Sequence, residues 1–320
     1  MGNNNMKNFT INNNDCGQRI DKFILKAMPD MPKGMLYKLI RKKDIKINGK
    51  RCEISTRLCE GDIVTVFVKD ELSASKKHDM SFLNASGELK IVYEDENILI
   101  ADKPIGLDSH SSDSSGGDTL INRIKLYLYN KKEYYPGSEN SFAPAICSRL
   151  DRNTSGLVIS AKNAAALREI NSAIKDGAVN KIYRCICTNP PPKAADIIIA
   201  FHKKEESGNI VKISDFPADG YKEIKTGYKI IRQKKGLSLI EIRLYTGRTH
   251  QIRAHMSHIG SPLLGDGKYG DIQVNKRYNT FCQQLCAYSL EFNLPETAPL
   301  SYLNKLEITA GIPDFEKKFF

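Results

Sequence analysis

Long apolar runs are absent from this chain of 320 residues. No stretch approaches the length needed to cross a bilayer, and the opening residues, MGNNNMKNFTINNND, contain no apolar segment of signal-peptide length. We therefore expect a protein that stays in the cytoplasm and has no membrane partner.

Cysteine pairs with the spacing of a metal site are absent as well. The eight cysteines include no Cys-x-x-Cys pair and no repeated spacing of the kind that zinc requires. His250, His255 and His258 stand close together, but they lack the spacing of a helical zinc pair and have no partner acid motif. We expect reduced thiols and no metal site.

Acidic residues are outnumbered. The chain has 37 Asp and Glu residues and 48 Lys and Arg residues, which gives a net charge of +11 and a pI near 9.1. Such a balance favours a polyanionic partner such as nucleic acid. A generally basic soluble protein would show the same totals, so the placement of the basic residues has to decide between the two.

The first part of the chain predicts a small module. Residues 1–14 are polar and rich in Asn, and we expect a disordered tail there. Residues 15–69 predict two helices and a hairpin that turns at Asn48-Gly49. On the second helix, over residues 33–43, an apolar stripe leaves a basic exposed face. The residues of that face are Lys33, Lys38, Arg41, Lys42 and Lys43.

The rest of the chain predicts a linker and a larger domain. Residues 70–88 lose periodicity and gain Ser, Lys and Asp, which indicates a linker, so residues 89–320 form the second domain. Its predicted strands cover 89–93, 97–102, 156–161, 181–188, 196–200, 222–232, 237–245 and 305–310, and its predicted helices cover 119–131, 163–176 and 248–259. This pattern predicts an α+β fold with a mixed, mainly antiparallel sheet and packed helices.

One carboxylate stands out in a polar loop. Asp151 lies between Arg149 and Arg152, just before an apolar strand. Nearby positive charge favours the ionised carboxylate, which could act as a base or nucleophile. A structural Asp that is tied to Arg in a turn fits the same residues, and composition alone favours that alternative.

A second segment, YTGRTHQIRAHM at 245–256, predicts a strand end followed by a helix that starts near Arg248. Ile252, Met256 and Ile259 form its buried stripe. This leaves Arg248, Gln251, Arg253 and His255 free to face an RNA backbone or a catalytic carboxylate. An ordinary amphipathic helix is the alternative.

Two further features stay ambiguous. Residues 265–270, GDGKYG, fit a dinucleotide fingerprint, but they follow a helix instead of a strand, so a tight glycine turn is the better interpretation. Tyr183 lies on a strand, as either a core aromatic or a ring that faces a cleft.

Four segments of the chain, taken together, have the order and spacing of motifs in a known protein family. They are DKPIGL at 102–107, SRLDRNTSGLVISAK at 148–162, KIYRC at 181–185, and TGRTHQIRAHM with GSPLLGDGKYG at 246–270. In order and spacing they resemble the RluA-type pseudouridine synthases. Residues 16–68, with QRIDKFI, the basic helix and the IKING turn, resemble the small RNA-binding module named after ribosomal protein S-four.

The resemblance implies a set of site residues. It implies that Asp151 is the catalytic aspartate, that Tyr183 stacks on or serves the flipped base, and that Arg248 pairs with Asp151. Arg149 matches an arginine that occupies the gap left by the flipped uridine. Two positions depart from the family pattern, since Ser148 and Cys286 stand where histidine is usual.

The implied reaction turns uridine into pseudouridine in RNA without a cofactor. Asp151 would either attack C1′ of the ribose or remove its 2′ proton, and residues alone leave both routes open. Large-subunit (23S) ribosomal RNA is the expected substrate, with transfer RNA as the alternative, and we expect a monomer. A non-catalytic RNA-binding factor for ribosome assembly is the competing interpretation.

Overall fold

The computed structural model describes residues 4–69, 79–110, 117–205 and 210–320. Two sheets organise these residues, one of four strands near the N-terminus and one of eleven strands in the rest of the chain. Helices pack against both sheets. The predicted α+β class with a mixed, mainly antiparallel sheet is confirmed. Among the helices of these residues, none is long and apolar enough to span a membrane.

The N-terminal module has a four-stranded antiparallel sheet in the order β1-β4-β2-β3. Its elements are β1 (Asn4–Thr10), α1 (Ile20–Ala27), α2 (Lys33–Lys42), β2 (Ile45–Ile47), β3 (Lys50–Arg51) and β4 (Ile63–Lys69). Asn48 and Gly49 both have positive φ, as a type I′ hairpin turn requires. Leu36 and Leu39 of α2 are buried, while the five basic residues predicted for its outer face are all exposed.

The expected disordered tail over residues 1–14 is wrong for the described part, which starts at residue 4. β1 pairs with β4 along its whole length, and Phe9 and Ile11 are buried in the core of the module. Asparagine is a poor strand former, so local propensity hid a strand that tertiary pairing stabilises.

The loop after β1 joins the module to the larger domain through polar contacts. The buried Asp15 carboxylate accepts hydrogen bonds from Asn140 Nδ2 at 2.7 Å and from Ser141 Oγ at 2.5 Å. Asn14 Oδ1 accepts one from the backbone N–H of Ala164, at the first turn of a helix of the larger domain. Asn14, the last residue of the expected tail, and the neighbouring Asp15 therefore connect the two parts.

The expected linker at 70–88 is shorter than the sequence indicates. Residues 70–78 lie outside the described residues, but a 3₁₀ turn at Ser81–Asn84 already packs on the larger domain. Phe82 is fully buried in that domain's core. The packed part of the larger domain thus begins before residue 89.

The larger sheet runs in the order β11-β10-β12-β13-β9-β14-β8-β6-β5, with β7 beside β8 and β15 beside β14. Only β14 and β8 pair in parallel among its described strands. The strands are β5 (Ile91–Glu94), β6 (Ile98–Lys103), β7 (Ala145–Ile146), β8 (Ser155–Ala161), β9 (Val179–Cys187), β10 (Ala195–Lys204), β11 (Val211–Ser214), β12 (Lys222–Lys234), β13 (Leu237–Leu244), β14 (Leu285–Phe292) and β15 (Glu307–Thr309).

Helices cover both faces of this sheet. They are α3 (Leu120–Asn130), α4 (Ala164–Lys175), α5 (Gln251–His258), α6 (Ile272–Arg277) and α7 (Asp314–Phe319). Alternate residues of β6 point to opposite faces, so Leu99 and Ala101 join the core under α3 and α5, while Ile98 and Ile100 join the core under α4. The central strands are therefore buried on both sides.

Burial on both sides explains why the sequence did not reveal β14. Its burial pattern has no polar alternation, and it mixes Leu, Cys, Ala, Tyr and Ser instead of the β-branched residues that mark the other strands. β14 lies between β9 and β8, where it connects the two halves of the sheet.

The helix expected to start near Arg248 starts at Gln251 instead. His250 has φ of +53°, which is left-handed backbone that cannot belong to the helix. Three polar residues of α5 that were expected to face an RNA backbone or a catalytic carboxylate, namely Gln251, Arg253 and His255, are buried. His255 Nδ1 is joined to Thr226 Oγ1 of β12 by a hydrogen bond of 3.0 Å.

Burial makes His255 a source of acid sensitivity. Burial, with the positive charge of His258 as a second cause, lowers the pKa of His255 to about 4. An unfolded chain takes up this proton below about pH 6.5, while the folded chain resists it until about pH 4, so stability is complete above that window and falls as pH decreases through it.

We expect His255→Gln to remove this dependence on pH. Between about pH 7 and pH 5 the wild-type free energy of unfolding should fall by about 2 kcal/mol more than that of the variant. Urea unfolding at both pH values measures the difference. Equal losses in the two proteins would contradict a buried neutral His255.

Candidate active site

Asp151 lies in the turn that leads into β8, with its side chain 30% exposed to a cleft. Its Oδ2 atom accepts a hydrogen bond of 2.8 Å from Arg253 Nη1 of α5. His250 Nε2 is 3.8 Å from the same oxygen. The carboxylate is therefore in contact with a permanent positive charge and remains open to a ligand on one side.

Arg253 holds a second carboxylate at the same time. Its Nε and Nη2 atoms donate to Asp266 Oδ2 and Oδ1 at 2.6 and 2.9 Å, a two-pronged pair from which water is nearly excluded. Burial alone would lower the pKa of Arg253, but the bonds to Asp266 and Asp151 raise it overall. Burial would raise the pKa of Asp266, and the guanidinium lowers it instead. Both groups are charged.

The expected pairing of Asp151 with Arg248 is wrong. Arg248 is exposed at the rim of the cleft, and the guanidinium that contacts Asp151 is that of Arg253. The error has a physical origin. The helix begins at Gln251, three residues later than expected, so Arg248 lies before the helix and Arg253 lies in its first turn. Arg253 then lies under the 265–270 turn, which buries it.

Residues 265–270, GDGKYG, form the tight glycine turn that was the better of their two interpretations. Gly265 has φ of +80°, and a Cβ atom there would lie 2.1 Å from the Cys282 carbonyl oxygen. The backbone N–H groups of Lys268 and Tyr269 donate to Asp266 Oδ1. The turn therefore presents a fixed carboxylate to Arg253.

Tyr269 extends this arrangement to His250. Its hydroxyl is 3.0 Å from His250 Nδ1 and accepts a bond from the backbone N–H of Val211. Arg253 Cζ lies 5.3 Å from the centre of the tyrosine ring. The sequence offered Arg253 as one of four polar residues that could face a catalytic carboxylate, but it did not single out Asp266 or Tyr269, although all three lie inside the motifs that carry the family resemblance.

Three histidines considered as metal ligands bind different partners. His250 contacts Tyr269, His255 contacts Thr226, and His258 contacts Asp215. Among the described residues, no group of three His, Cys, Asp or Glu side chains could hold a metal ion.

Tyr183 reaches the same cleft from β9. It is 7% exposed, so it is at once a core residue and a lining residue. Burial raises its pKa, and the negative charge of Asp151 raises it further. The phenol therefore stays protonated at neutral pH, and it lines the same cleft as Asp151.

The cleft has a volume of about 70 Å³. Its walls combine the charged groups with apolar side chains, which limit the access of water. They are Arg149, Leu150, Asp151, Thr154, Tyr183, Leu244, Arg248, His250, Gln251, Ile252, Arg253 and Leu285. Of the predicted residues, Asp151, Tyr183, Arg149 and Arg248 thus meet in one place.

A loop after β6 fixes the residues on either side of Asp151. The buried Lys103 ammonium donates to the carbonyl oxygens of Pro104, Leu107 and Arg152, the last at 3.0 Å. Ser109 Oγ donates to the carbonyl of Leu150 at 2.8 Å and accepts from its N–H at 3.2 Å. Burial lowers the pKa of Lys103 to about 8.

Two predicted RNA contacts differ in their surroundings. Arg149 is exposed and lines the cleft. Arg152 is also exposed, but its Nε atom donates to the carbonyl of Gly106, so it also supports the loop that holds Asp151. The family-atypical Cys286 is buried beside β8, and burial raises its pKa to about 11.

Comparison with models of known protein families identifies the family of this chain. A family model described as RNA pseudouridylate synthase matches residues 97–258, a range that contains Asp151, Tyr183 and Arg253. The chain belongs to the RNA pseudouridylate synthase family. A second model, described as S4 domain, matches residues 18–64 of this synthase.

Relatives of similar length agree with this assignment. The synthase is 34% identical over 315 residues to an uncharacterized RNA pseudouridine synthase of Mycoplasma capricolum, a match that covers 97% of this chain and 99% of the relative. It is 30% identical over 297 residues to the ribosomal large subunit pseudouridine synthase C of Vibrio vulnificus, covering 88% and 87%.

A solved structure shares the fold. Human RNA Pseudouridylate Synthase Domain Containing 4 superimposes with a TM-score of 0.56 at 19% identity, over 71% of this chain and 89% of the human one. The family match, and not this shared fold, shows that the synthase isomerises uridine to pseudouridine in RNA and that its S4 domain binds RNA.

We expect Arg253→Lys to lower turnover at saturating RNA by about a hundredfold, because lysine cannot hold Asp151 and Asp266 together and the carboxylate loses its position. Single-turnover kinetics with excess enzyme measure this. Arg248→Lys is the comparison and should cost less, since its guanidinium does not contact Asp151. A larger loss for Arg248→Lys would contradict the pairing.

Proposed function

We propose that this synthase modifies a uridine of large-subunit ribosomal RNA and that Asp151 is the group that acts on the ribose of that uridine. One observation supports the choice of Asp151. Its carboxylate lines the cleft, and it forms an ion pair with the buried guanidinium of Arg253. The relatives named ribosomal large subunit pseudouridine synthase C support the choice of RNA.

The reaction sets three demands on such a site. The bond between C1′ and N1 breaks, the detached uracil turns, and a bond forms between C5 and C1′ while C5 loses its proton and N1 gains one. Attack on C1′ and removal of the 2′ proton both use a carboxylate oxygen, and the hydrogen bond from Arg253 holds the Asp151 carboxylate in position at the cleft. The apolar walls Leu244, Ile252 and Leu285 keep water from the detached base.

Tyr183 and Arg149 take the roles that base flipping requires. Removal of a base from its stack costs a few kcal/mol, and an aromatic ring and an inserted side chain offset that cost. Tyr183 is a protonated phenol beside Asp151, placed to contact the uracil ring. Arg149 is exposed at the mouth of the cleft, where it can fill the gap in the RNA stack.

The S4 domain supplies affinity through α2. Its five exposed basic residues, and Arg152 on the larger domain, would contact phosphates, which position the RNA without reading its sequence. The polar contacts of Asp15 hold this domain against the catalytic domain, so both parts would engage one RNA molecule.

We expect Asp151→Asn to bind target RNA almost normally and to form no pseudouridine, because the amide keeps the shape of the side chain but not its charge. Pseudouridine mapping of ribosomal and transfer RNA, from cells with no synthase, wild-type synthase or the variant, measures this. The variant should match cells that lack the synthase.

The same map tests the substrate. A site in large-subunit ribosomal RNA that depends on Asp151 supports the proposal, and a site confined to transfer RNA contradicts it. Restored ribosome assembly by Asp151→Asn, without any dependent pseudouridine, would instead indicate a non-catalytic assembly factor.

The charge of α2 gives a separate prediction. Replacement of Lys38, Arg41 and Lys42 by Ala should weaken RNA binding and reduce the slope of log K against log salt by about 0.7 to 0.9 for each phosphate that the variant no longer neutralises. Exposed lysines of β12, Lys222 and Lys229, provide the matched control. An unchanged slope in the triple variant would contradict RNA binding by α2.

A further inference from the structure

Lys181 is a cation next to the residues that line the active-site cleft, and the proposed chemistry does not use it. It stands two residues before Tyr183 on β9, and their side chains share one face of the strand. Across the sheet it pairs with Leu244, which lines the cleft. Lys181 therefore belongs to the same wall of the site as Tyr183.

The charge of Lys181 is not balanced by an acid of the part of the chain that the structure describes. Among these residues, no carboxylate forms an ion pair with its ammonium. Burial lowers its pKa. A partly buried cation is costly unless an anion pairs with it, and such an arrangement at a binding cleft favours an anionic ligand.

The ammonium of Lys181 lies against the loop that carries Arg248. A Cβ atom at Gly247 would lie 3.4 Å from Lys181 Nζ, so the absence of a side chain leaves the space in front of the ammonium open. Arg248 follows directly and is exposed at the rim of the cleft. The Lys181 ammonium thus lies beside the glycine that directly precedes Arg248, a residue that lines the cleft.

The buried Gln251 holds this loop in place. Its Oε1 atom accepts from the backbone N–H of Arg248 at 3.0 Å and from Thr246 Oγ1 at 2.9 Å. Its Nε2 atom donates to Thr226 Oγ1 and to the Lys225 carbonyl on β12. The backbone between Thr246 and Arg248 is thus fixed before any ligand binds.

We propose that Lys181 and Arg248 bind one phosphate group of the RNA, next to the target uridine, in the space beside Gly247. The proposal rests on the proposed RNA-modifying site and assigns Arg248 a role in binding that replaces its expected contact with Asp151. It fits the cleft because a nucleotide that enters it brings a phosphate to its rim.

The test combines a protein change with a change of one phosphate. A short synthetic RNA carries the mapped uridine, and two further versions carry an uncharged methylphosphonate on the 5′ or the 3′ side of it. Affinity is measured with full-length protein in the Asp151→Asn background, so that no turnover occurs. One of the two methylphosphonates should weaken binding about tenfold, the size of one charged hydrogen bond.

In Lys181→Met the same methylphosphonate should have almost no further effect, because the variant has no ammonium to pair with that phosphate. Methionine keeps most of the apolar stem, which preserves packing. Lys181→Arg, which keeps the charge, and Lys229→Met on the exposed part of β12 should both keep the full tenfold sensitivity. Arg248→Ala should reduce it, and provides the same test if Lys181→Met does not fold.

Equal sensitivity to both methylphosphonates in wild type, Lys181→Met and Arg248→Ala would overturn the phosphate site. That outcome is distinct from failure of the proposed function, which would appear as absence of Asp151-dependent pseudouridine in the unmodified RNA. A loss of sensitivity in Lys229→Met as large as in Lys181→Met would also overturn the proposal, since it would indicate general electrostatics.

Discussion

The Arg253 guanidinium, shared between Asp151 and Asp266, is the interaction on which the rest of the site depends. Asp266 is fully buried and Arg253 nearly so, and either charge alone would be costly in that environment. The ion pair between them neutralises both charges, and the remaining guanidinium nitrogen, Nη1, donates a hydrogen bond to Asp151. The Asp151 carboxylate is thus positioned by a residue 102 positions away in the chain.

Several features of the fold hold the residues of this contact in position. The glycine turn at 265–270 fixes Asp266, and Tyr269 connects that turn to His250 and to β11. On the other side, Lys103 and Ser109 hold the backbone next to Asp151. The turn that carries Asp151 is therefore held between two independent supports, which is what a site needs when its group must meet a flipped nucleoside in one orientation.

The molecule separates affinity from chemistry. The exposed basic face of α2 is suited to phosphate, whereas the cleft combines one carboxylate, a protonated phenol and apolar walls. Polar contacts of Asp15 with Asn140 and Ser141 connect the two parts.

The sequence by itself determined the α+β class, most strands and the basic helix, because periodicity is a local property, and the family resemblance directed attention to Asp151 and Tyr183. Only the tertiary structure decided which arginine meets Asp151. Arg253 carries no local sign of burial, since the turn at 265–270 must fold over α5 to enclose it, and the left-handed His250 delays the helix start. β1 and β14 stayed hidden for the same reason: pairing with distant strands, and not local propensity, stabilises them.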